Sequence, residues 1–146
     1  MKRFFDLIVS LPLLIIALPL IALSALFVYL SDLKNPLYIP ERVGLNKKIF
    51  NMFKIRSMLQ NADQSGVDST SASDARITPM GRFIRKFKVD ELSQLFNVVR
   101  GDMSLVGPRP NIKKETDLYT REEETLLSVR PGITDFSSIV FSDEGD

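Results

Sequence analysis

Two adjacent carboxylates, Asp90 and Glu91, are the side chains in this sequence best placed to carry chemistry. They stand at the start of an apolar repeat that predicts a helix of about three turns, from near Asp90 to Arg100. One interpretation is structural, because acids in the first turn of a helix offset its macrodipole by roughly 0.3–1 kcal/mol. The other is chemical: neighbouring helical side chains diverge by about 100°, so one carboxylate could attack phosphorus while the other holds a divalent cation.

Basic residues flank this pair of acids in the sequence. Those that precede it are Arg82, Arg85, Lys86 and Lys88. Arg109 follows it within a Gly-Pro-Arg-Pro turn, where a guanidinium fork can meet a phosphate bidentately with little entropy left to lose. Such cations would keep the carboxylates ionised and hold phosphate oxygens. For Lys86 and Lys88 a contact with anionic lipid is the alternative.

The chain of 146 residues contains no histidine and no cysteine. Catalysis by Ser-His-Asp or Cys-His arrangements, structural zinc sites and disulfides are therefore excluded. Any metal must have oxygen ligands, which favours magnesium or manganese. A formal net charge of +1 argues against a binder of polyanions, and the lack of Trp and of a spaced aromatic and basic surface argues against nucleic acid.

Residues 7–30 carry no charge and exceed the ~20 apolar residues that a membrane-crossing helix needs. A cleavable signal peptide is disfavoured because the apolar run continues well past its small-x-small site at residues 22–24. Pro12 and Pro19 lie inside the run and favour a kink. The alternatives are a helix that enters and returns, and a straight span.

Positive charge on both sides of this segment favours the re-entrant form. The flanking basic residues are Lys2, Arg3, Lys34, Arg42, Lys47 and Lys48. Because such residues are retained in the cytoplasm, both ends of the helix are predicted to lie there.

The remaining sequence predicts short elements joined by loops. A small β-hairpin is predicted within residues 38–58, and residues 59–75 form a mobile loop whose Asp63, Asp68 and Asp74 lack the spacing of a calcium loop. Thr78-Pro79 opens a helix.

Three further segments complete the prediction. Residues 103–110 form a rigid connector, because two prolines and a glycine restrict their backbone. Residues 111–129 form a polar and helical stretch, with the acidic run at 122–124 as a solvated face. Residues 130–134 then turn the chain.

The run from Lys88 to Pro110, KVDELSQLFNVVRGDMSLVGPRP, closely resembles the signature of the bacterial sugar transferase family. These monotopic polyprenyl-phosphate phosphoglycosyl transferases initiate glycan assembly. Three shorter blocks resemble the family in the expected order: KRFFD at 2–6, FKIRSM at 53–58 and RPGIT at 130–134.

The resemblance implies a role for each acid and for several basic residues. Asp90 would be the nucleophile that attacks the β-phosphate of a UDP-sugar and releases UMP, and Glu91 would bind a magnesium ion (Mg²⁺). Polyprenyl phosphate would then take the phosphosugar from Asp90. The residues implied to bind phosphate or nucleotide are Arg85, Arg109, Lys54, Arg56 and Arg130. For the last three, pairing with local carboxylates or carbonyls is the alternative.

The resemblance also implies an α+β fold, a mostly helical monotopic membrane protein with a re-entrant N-terminal helix kinked at Pro12 and Pro19, interfacial amphipathic helices and a small β-hairpin. Residues 1–33 would form the membrane helix and residues 34–146 a catalytic domain on the cytoplasmic face of the bacterial inner membrane. A membrane-anchored module that binds anionic lipid or a partner is the alternative, but such a module has no use for two acids within its basic surface.

The sequence departs from the family pattern in three places. Leu18 precedes Pro19, where members often have Ser-Pro, and Asp135-Phe136 stands where many have Gly-Trp. The sequence also ends where many members continue for several helical turns. The first departure concerns the membrane kink, and the second concerns the preference for sugar or base.

Overall fold

The computed structural model describes residues 1–62 and 74–135. Most of the predicted loop of residues 59–75, with Asp63 and Asp68, lies outside the described residues, and so does the segment from Phe136 onward.

Helix α1 spans Lys2–Asp32 and continues through Pro12 and Pro19. One face of α1 is buried against the rest of the protein, and most of its other apolar side chains are exposed. The buried residues recur at helical spacing: Asp6, Ser10, Leu14, Ala17, Ile21 and Val28. By length and composition α1 is the one helix of the described ranges that could cross a membrane. A change of direction at the two prolines stays a prediction.

The first turns of α1 are fastened to the centre of the chain by polar contacts. The Asp6 carboxylate is buried and accepts a hydrogen bond from the Ser104 hydroxyl at 2.9 Å. Lys2 donates to the same hydroxyl, and the Arg3 guanidinium donates to the Val99 carbonyl at 2.8 Å. Because buried polar groups require such partners, these contacts fix the orientation of the helix start.

The last turn of α1 is fastened as well. Asp32 accepts two hydrogen bonds of 2.7 Å from the guanidinium of Arg56, whose side chain is 8% exposed. Both ends of α1 therefore contact the same folded domain.

The predicted hairpin is confirmed, and it is extended by a second strand pair. The strands are β1 (Leu37–Tyr38), β2 (Glu41–Val43), β3 (Ile49–Asn51) and β4 (Lys54–Ile55). Strand β2 pairs with β3 and β1 pairs with β4, both antiparallel. The turn is a 3₁₀ helix, Leu45–Lys47, in which Asn46 and Lys47 have positive φ.

Helix α2 (Pro79–Lys86) begins as predicted, because the Thr78 hydroxyl accepts a hydrogen bond from the Gly81 amide at 2.9 Å. The prediction of one helix from Asp90 to Arg100 was wrong. The structure has α3 (Val89–Leu92) and α4 (Leu95–Arg100). Between them the Gln94 amide bonds to the carbonyl three residues back, so the backbone tightens to a 3₁₀ turn. Gly101 ends α4 in the left-handed region, with φ of 97°.

The predicted rigid connector contains a strand, β5 (Ser104–Val106), which pairs in parallel with β6 (Gly132–Thr134). This strand pair was not predicted from the sequence. The long helical stretch predicted between the two strands was also wrong, since the structure has only α5 (Lys113–Thr116) and a 3₁₀ helix, Glu123–Ser128. The acidic run is exposed, as predicted.

The main core lies where α1 packs on α2, α3, α4 and β4. It consists of Leu14, Ala17, Ile21, Val28, Ile55, Ile84, Val89 and Leu95. This core holds β4 against α3, and these two elements carry the residues of the candidate site.

Candidate active site

The two acids singled out in the sequence lie on α3, and a lysine from β4 reaches both of them. The Lys54 ammonium is 3.2 Å from Glu91 Oε1 and 3.8 Å from Asp90 Oδ2. Asp90 is 8% exposed, whereas 26% of the Glu91 side chain is exposed. Lys88, the residue before α3, has a left-handed backbone with φ of 52°. The pair therefore presents one nearly buried acid and one open acid to the same cation.

Two side chains after the acids hold the backbone beside Lys54. The Ser93 hydroxyl donates to the Phe53 carbonyl at 3.0 Å, and Asn97 Oδ1 accepts from the Phe53 amide at 2.9 Å. Asn97, which is fully buried, also donates to the Asn51 carbonyl at 2.7 Å. The backbone carbonyl of Phe53 is thus bonded to the turn between α3 and α4, and its amide is bonded to α4. These bonds set the position of Lys54 against the acids.

Burial raises the pKa of the Asp90 carboxyl above its ordinary value, because the ionised form loses solvation. The charge of Lys54 opposes this shift, Glu91 adds to it and Arg85 opposes it. A carboxylate that is poorly solvated and close to cations retains nucleophilic character toward an anionic phosphate ester that the same cations hold.

The acids open onto a groove of about 930 Å³. The predicted site residues that line it are Lys54, Arg56, Arg85, Asp90, Glu91 and Arg109. Three segments far apart in sequence, 54–56, 85–91 and 109, therefore contribute their charges to one cavity. Its size suits a ligand as large as a nucleotide sugar.

Arg130 is the predicted site residue that does not line this groove. Its Nε donates to the Gly101 carbonyl at 2.8 Å, which corresponds to the structural alternative given for it. Arg56 lines the groove while paired with Asp32, so its position is set by the end of α1. For Arg85 and Arg109, no ion pair exists within the described ranges.

Several groove residues were not predicted as site residues. Tyr38, Arg42, Arg76 and Gln94 line it. From the sequence, Arg42 was predicted only to be one of the basic residues that follow the membrane segment. No periodicity or motif in the sequence places β2 beside Arg109, so these residues become visible only once the strands are paired.

Glu91 could hold a magnesium ion if the phosphates of a substrate supplied further ligands. Magnesium binds through one or two carboxylates together with water and substrate phosphates, and Glu91 supplies an accessible carboxylate beside Asp90. In residues 1–62 and 74–135 no group of three acidic side chains could hold a metal by itself. Glu91 Oε1 already contacts Lys54. A magnesium ion at this position would therefore be bound by the other carboxylate oxygen and by the phosphates of the substrate.

A family model described as bacterial sugar transferase matches residues 1–145 of this chain. Three relatives carry names of the same kind. An undecaprenyl-phosphate glucose phosphotransferase from Komagataeibacter xylinus is 43% identical over 145 residues, which are 94% of this chain and 27% of that protein. An undecaprenyl-phosphate galactose phosphotransferase from Salmonella typhimurium is 39% identical over 149 residues, which cover 92% of this chain and 31% of that protein.

The third relative is a UDP-N-acetylgalactosamine-undecaprenyl-phosphate N-acetylgalactosaminephosphotransferase from Aeromonas hydrophila, 36% identical over 142 residues, with 95% of this chain and 34% of that protein covered. This chain thus spans about a third of the length of these relatives. The match to the family model nevertheless extends over nearly every residue, and the predicted family is confirmed. The chain belongs to the bacterial sugar transferase family.

Proposed function

We propose that this protein is a phosphoglycosyl transferase that moves a sugar 1-phosphate from a UDP-sugar to polyprenyl phosphate. The relatives' names give undecaprenyl phosphate as the acceptor and a sugar phosphate as the transferred group. One observation carries the proposal: the nearly buried Asp90 faces a groove together with Lys54 and Arg85. A module that only binds lipid does not account for a desolvated acid there.

In the first step a carboxylate oxygen of Asp90 attacks the β-phosphorus of the UDP-sugar. The bond from that phosphorus to the bridging oxygen breaks, and UMP leaves with the electron pair. The product is an acyl phosphate on Asp90 that carries the sugar. Lys54 and Arg85 stabilise the negative charge on the phosphoryl oxygens, because they are the cations that act on Asp90.

In the second step a phosphate oxygen of polyprenyl phosphate attacks the same phosphorus. The bond to Asp90 breaks, polyprenyl diphosphate sugar forms, and the carboxylate is restored. Two steps allow the soluble and the lipid substrate to occupy the site in turn. Glu91 would hold magnesium, which when bound neutralises charge on the diphosphate.

We also propose that α1 enters the membrane and returns to the same side. Arg3 and Asp6 at its start and Asp32 at its end bond to one domain. A straight helix of this length would separate its ends by about 46 Å, at 1.5 Å per residue, and place them on opposite sides of the bilayer. The exposed Phe83 and Phe87 near the basic residues of α2 suit the interface on the cytoplasmic face of the inner membrane.

The topology can be tested with single cysteines, since the chain has none of its own. We expect Phe4→Cys and Leu33→Cys, both at exposed positions, to be labelled by an impermeant maleimide in inside-out vesicles but not in intact spheroplasts. Labelling of Leu33→Cys from outside the cell, with Phe4→Cys protected, would establish a straight span instead.

The electrostatics of Asp90 predict a pH shift in the same direction in two variants that each lose a nearby cation. Attack requires ionised Asp90, so adduct formation falls as the pH drops below its raised pKa. Lys54→Met removes a charge that lowers this pKa. The acid limb of the curve of rate against pH, where the rate falls as Asp90 is protonated, should therefore move to higher pH. Arg85→Met removes a second cation that lowers this pKa, so its limb should move in the same direction.

The measurement is the initial rate of adduct formation against pH, normalised to each variant's maximum. Lys48→Met changes an exposed lysine in the hairpin turn and should leave the limb in place. Limbs that coincide in all four proteins would contradict the assignment of Asp90 as the group whose ionisation controls the rate.

The direct test of the proposed function is the covalent intermediate. Solubilised protein incubated with individual UDP-sugars should gain the mass of one phosphosugar and release UMP. Absence of both across a broad panel would contradict the enzymatic proposal.

A further inference from the structure

Two arginines from distant parts of the sequence, Arg42 and Arg109, line the same groove. Arg42 is on β2, and Arg109 is in the turn after β5. The Val43 amide donates to the Asn111 carbonyl at 2.9 Å and so joins the two segments next to these residues. Their guanidinium groups are close enough for the charge of Arg109 to act on Arg42.

Arg42 is half-buried, and no carboxylate in residues 1–62 and 74–135 lies within ion-pair distance of it. Its guanidinium donates to the Glu41 carbonyl at 3.1 Å. Burial lowers its pKa and Arg109 lowers it further, while Tyr38 and Glu115 oppose the shift. Two cations held together with partial loss of solvation are costly unless an anion binds between them.

This arginine pair is distinct from the cations beside the nucleophile. Lys54 and Arg85 are the basic residues that act on the Asp90 carboxyl, and neither Arg42 nor Arg109 is among them. Arg42 and Arg109 therefore add cationic charge to the groove beyond that of Lys54 and Arg85, as a substrate with two phosphorus centres or two successive phosphate substrates would require.

We propose that Arg42 and Arg109 form a phosphate monoester site, separate from the position where phosphorus reacts. Two guanidinium forks can hold a phosphate monoester through several charge-assisted hydrogen bonds. The inference rests on the proposed function, which supplies two such ligands: UMP after the first step and the head group of polyprenyl phosphate before the second.

The test measures binding of UMP and of farnesyl phosphate to the solubilised full chain by titration calorimetry. Arg42→Gln should weaken at least one of the two by about 10- to 100-fold, the effect of losing a charged hydrogen-bonding partner. Weaker UMP binding assigns the site to the nucleotide, and weaker farnesyl phosphate binding assigns it to the lipid. Arg42→Lys should recover only part of the affinity, because an ammonium lacks the planar fork.

Two further variants sharpen the test. Arg121→Gln removes an exposed arginine that does not line the groove and should leave both affinities unchanged. Glu115→Gln removes an exposed acid near Arg42 and should tighten binding by about two- to fivefold. Thermal unfolding of each variant checks that the protein still folds.

The inference is overturned if Arg42→Gln is folded and binds both probes as tightly as the wild type, or if Arg121→Gln weakens them equally. Failure of the proposed function would look different, since the wild-type protein would then form no adduct with any UDP-sugar. A wild type that turns over, with an Arg42→Gln variant of unchanged affinity, would refute this site alone.

Discussion

Asp90→Asn should abolish the covalent phosphosugar adduct and lower the rate of transfer by about 10³- to 10⁶-fold, as removal of an enzyme nucleophile does. An amide oxygen is too weak a nucleophile to attack phosphorus, although it occupies the same space. The measurement is intact mass after incubation with a UDP-sugar that labels the wild type, combined with an assay of UMP release.

Stability separates this chemical effect from a folding defect. Burial penalises the charged form of Asp90, so a neutral amide there should fold at least as well as the acid. Asp117→Asn is the matched control, because it removes an exposed acid paired with Lys113 on α5 and should leave adduct formation intact. An Asp90→Asn protein that still forms the adduct would show that another group attacks.

Gly81→Ala should be the most damaging small substitution to the fold, with a cost of about 3 kcal/mol or more. In an ordinary helix the same change is favourable by roughly 0.5–1 kcal/mol. Here a Cβ at Gly81 would lie 1.7 Å from the Ser57 carbonyl oxygen, which is backbone and cannot move aside. That oxygen also accepts a hydrogen bond from the Thr78 amide at 3.2 Å, so relief of the clash would break the start of α2.

Gly44→Ala provides the comparison. A Cβ there would meet the Phe50 ring at 3.1 Å, and a side chain can shift by a few tenths of an ångström. Thermal midpoints of the two solubilised variants should therefore differ clearly, with Gly81→Ala the lower. Equal midpoints would mean that α2 does not pack backbone to backbone on the segment after β4.

The elements that the sequence predicted well depend on local chemistry. Thr78 followed by Pro79 begins a helix, and Gly101 ends one, because caps and left-handed positions are decided by neighbouring residues. The hairpin turn at Asn46 follows from the same kind of rule. Asp90 and Glu91 lie in the first turn of α3, as the apolar repeat predicted. The segment that contains them lies within the match to the family model.

The elements that were missed depend on contacts between distant segments. Strand β5 is too short to show an alternating pattern. Its partner strand β6 lies 28 residues further along the chain, and Ser104 pairs with Gly132. The break between α3 and α4 arises where Ser93 bonds to Phe53, some 40 residues earlier. Arg42 joins the groove only through the bond from Val43 to Asn111. None of these contacts can be predicted from the local amino-acid composition.

The polar contacts that fasten the start of α1 also constrain the order of assembly. Lys2 and Ser104 are 102 positions apart, so a ribosome that adds about 5–20 residues per second needs about 5–20 s to supply the partner of this helix. Ile55, Ile84 and Val89 emerge earlier and can cover the packed face of α1. The other apolar side chains of α1 are exposed even in the folded domain, so the bilayer or a targeting factor must cover them during that interval. Insertion should therefore precede completion of the groove, and a nascent chain stalled before Ser104 should already sediment with membranes.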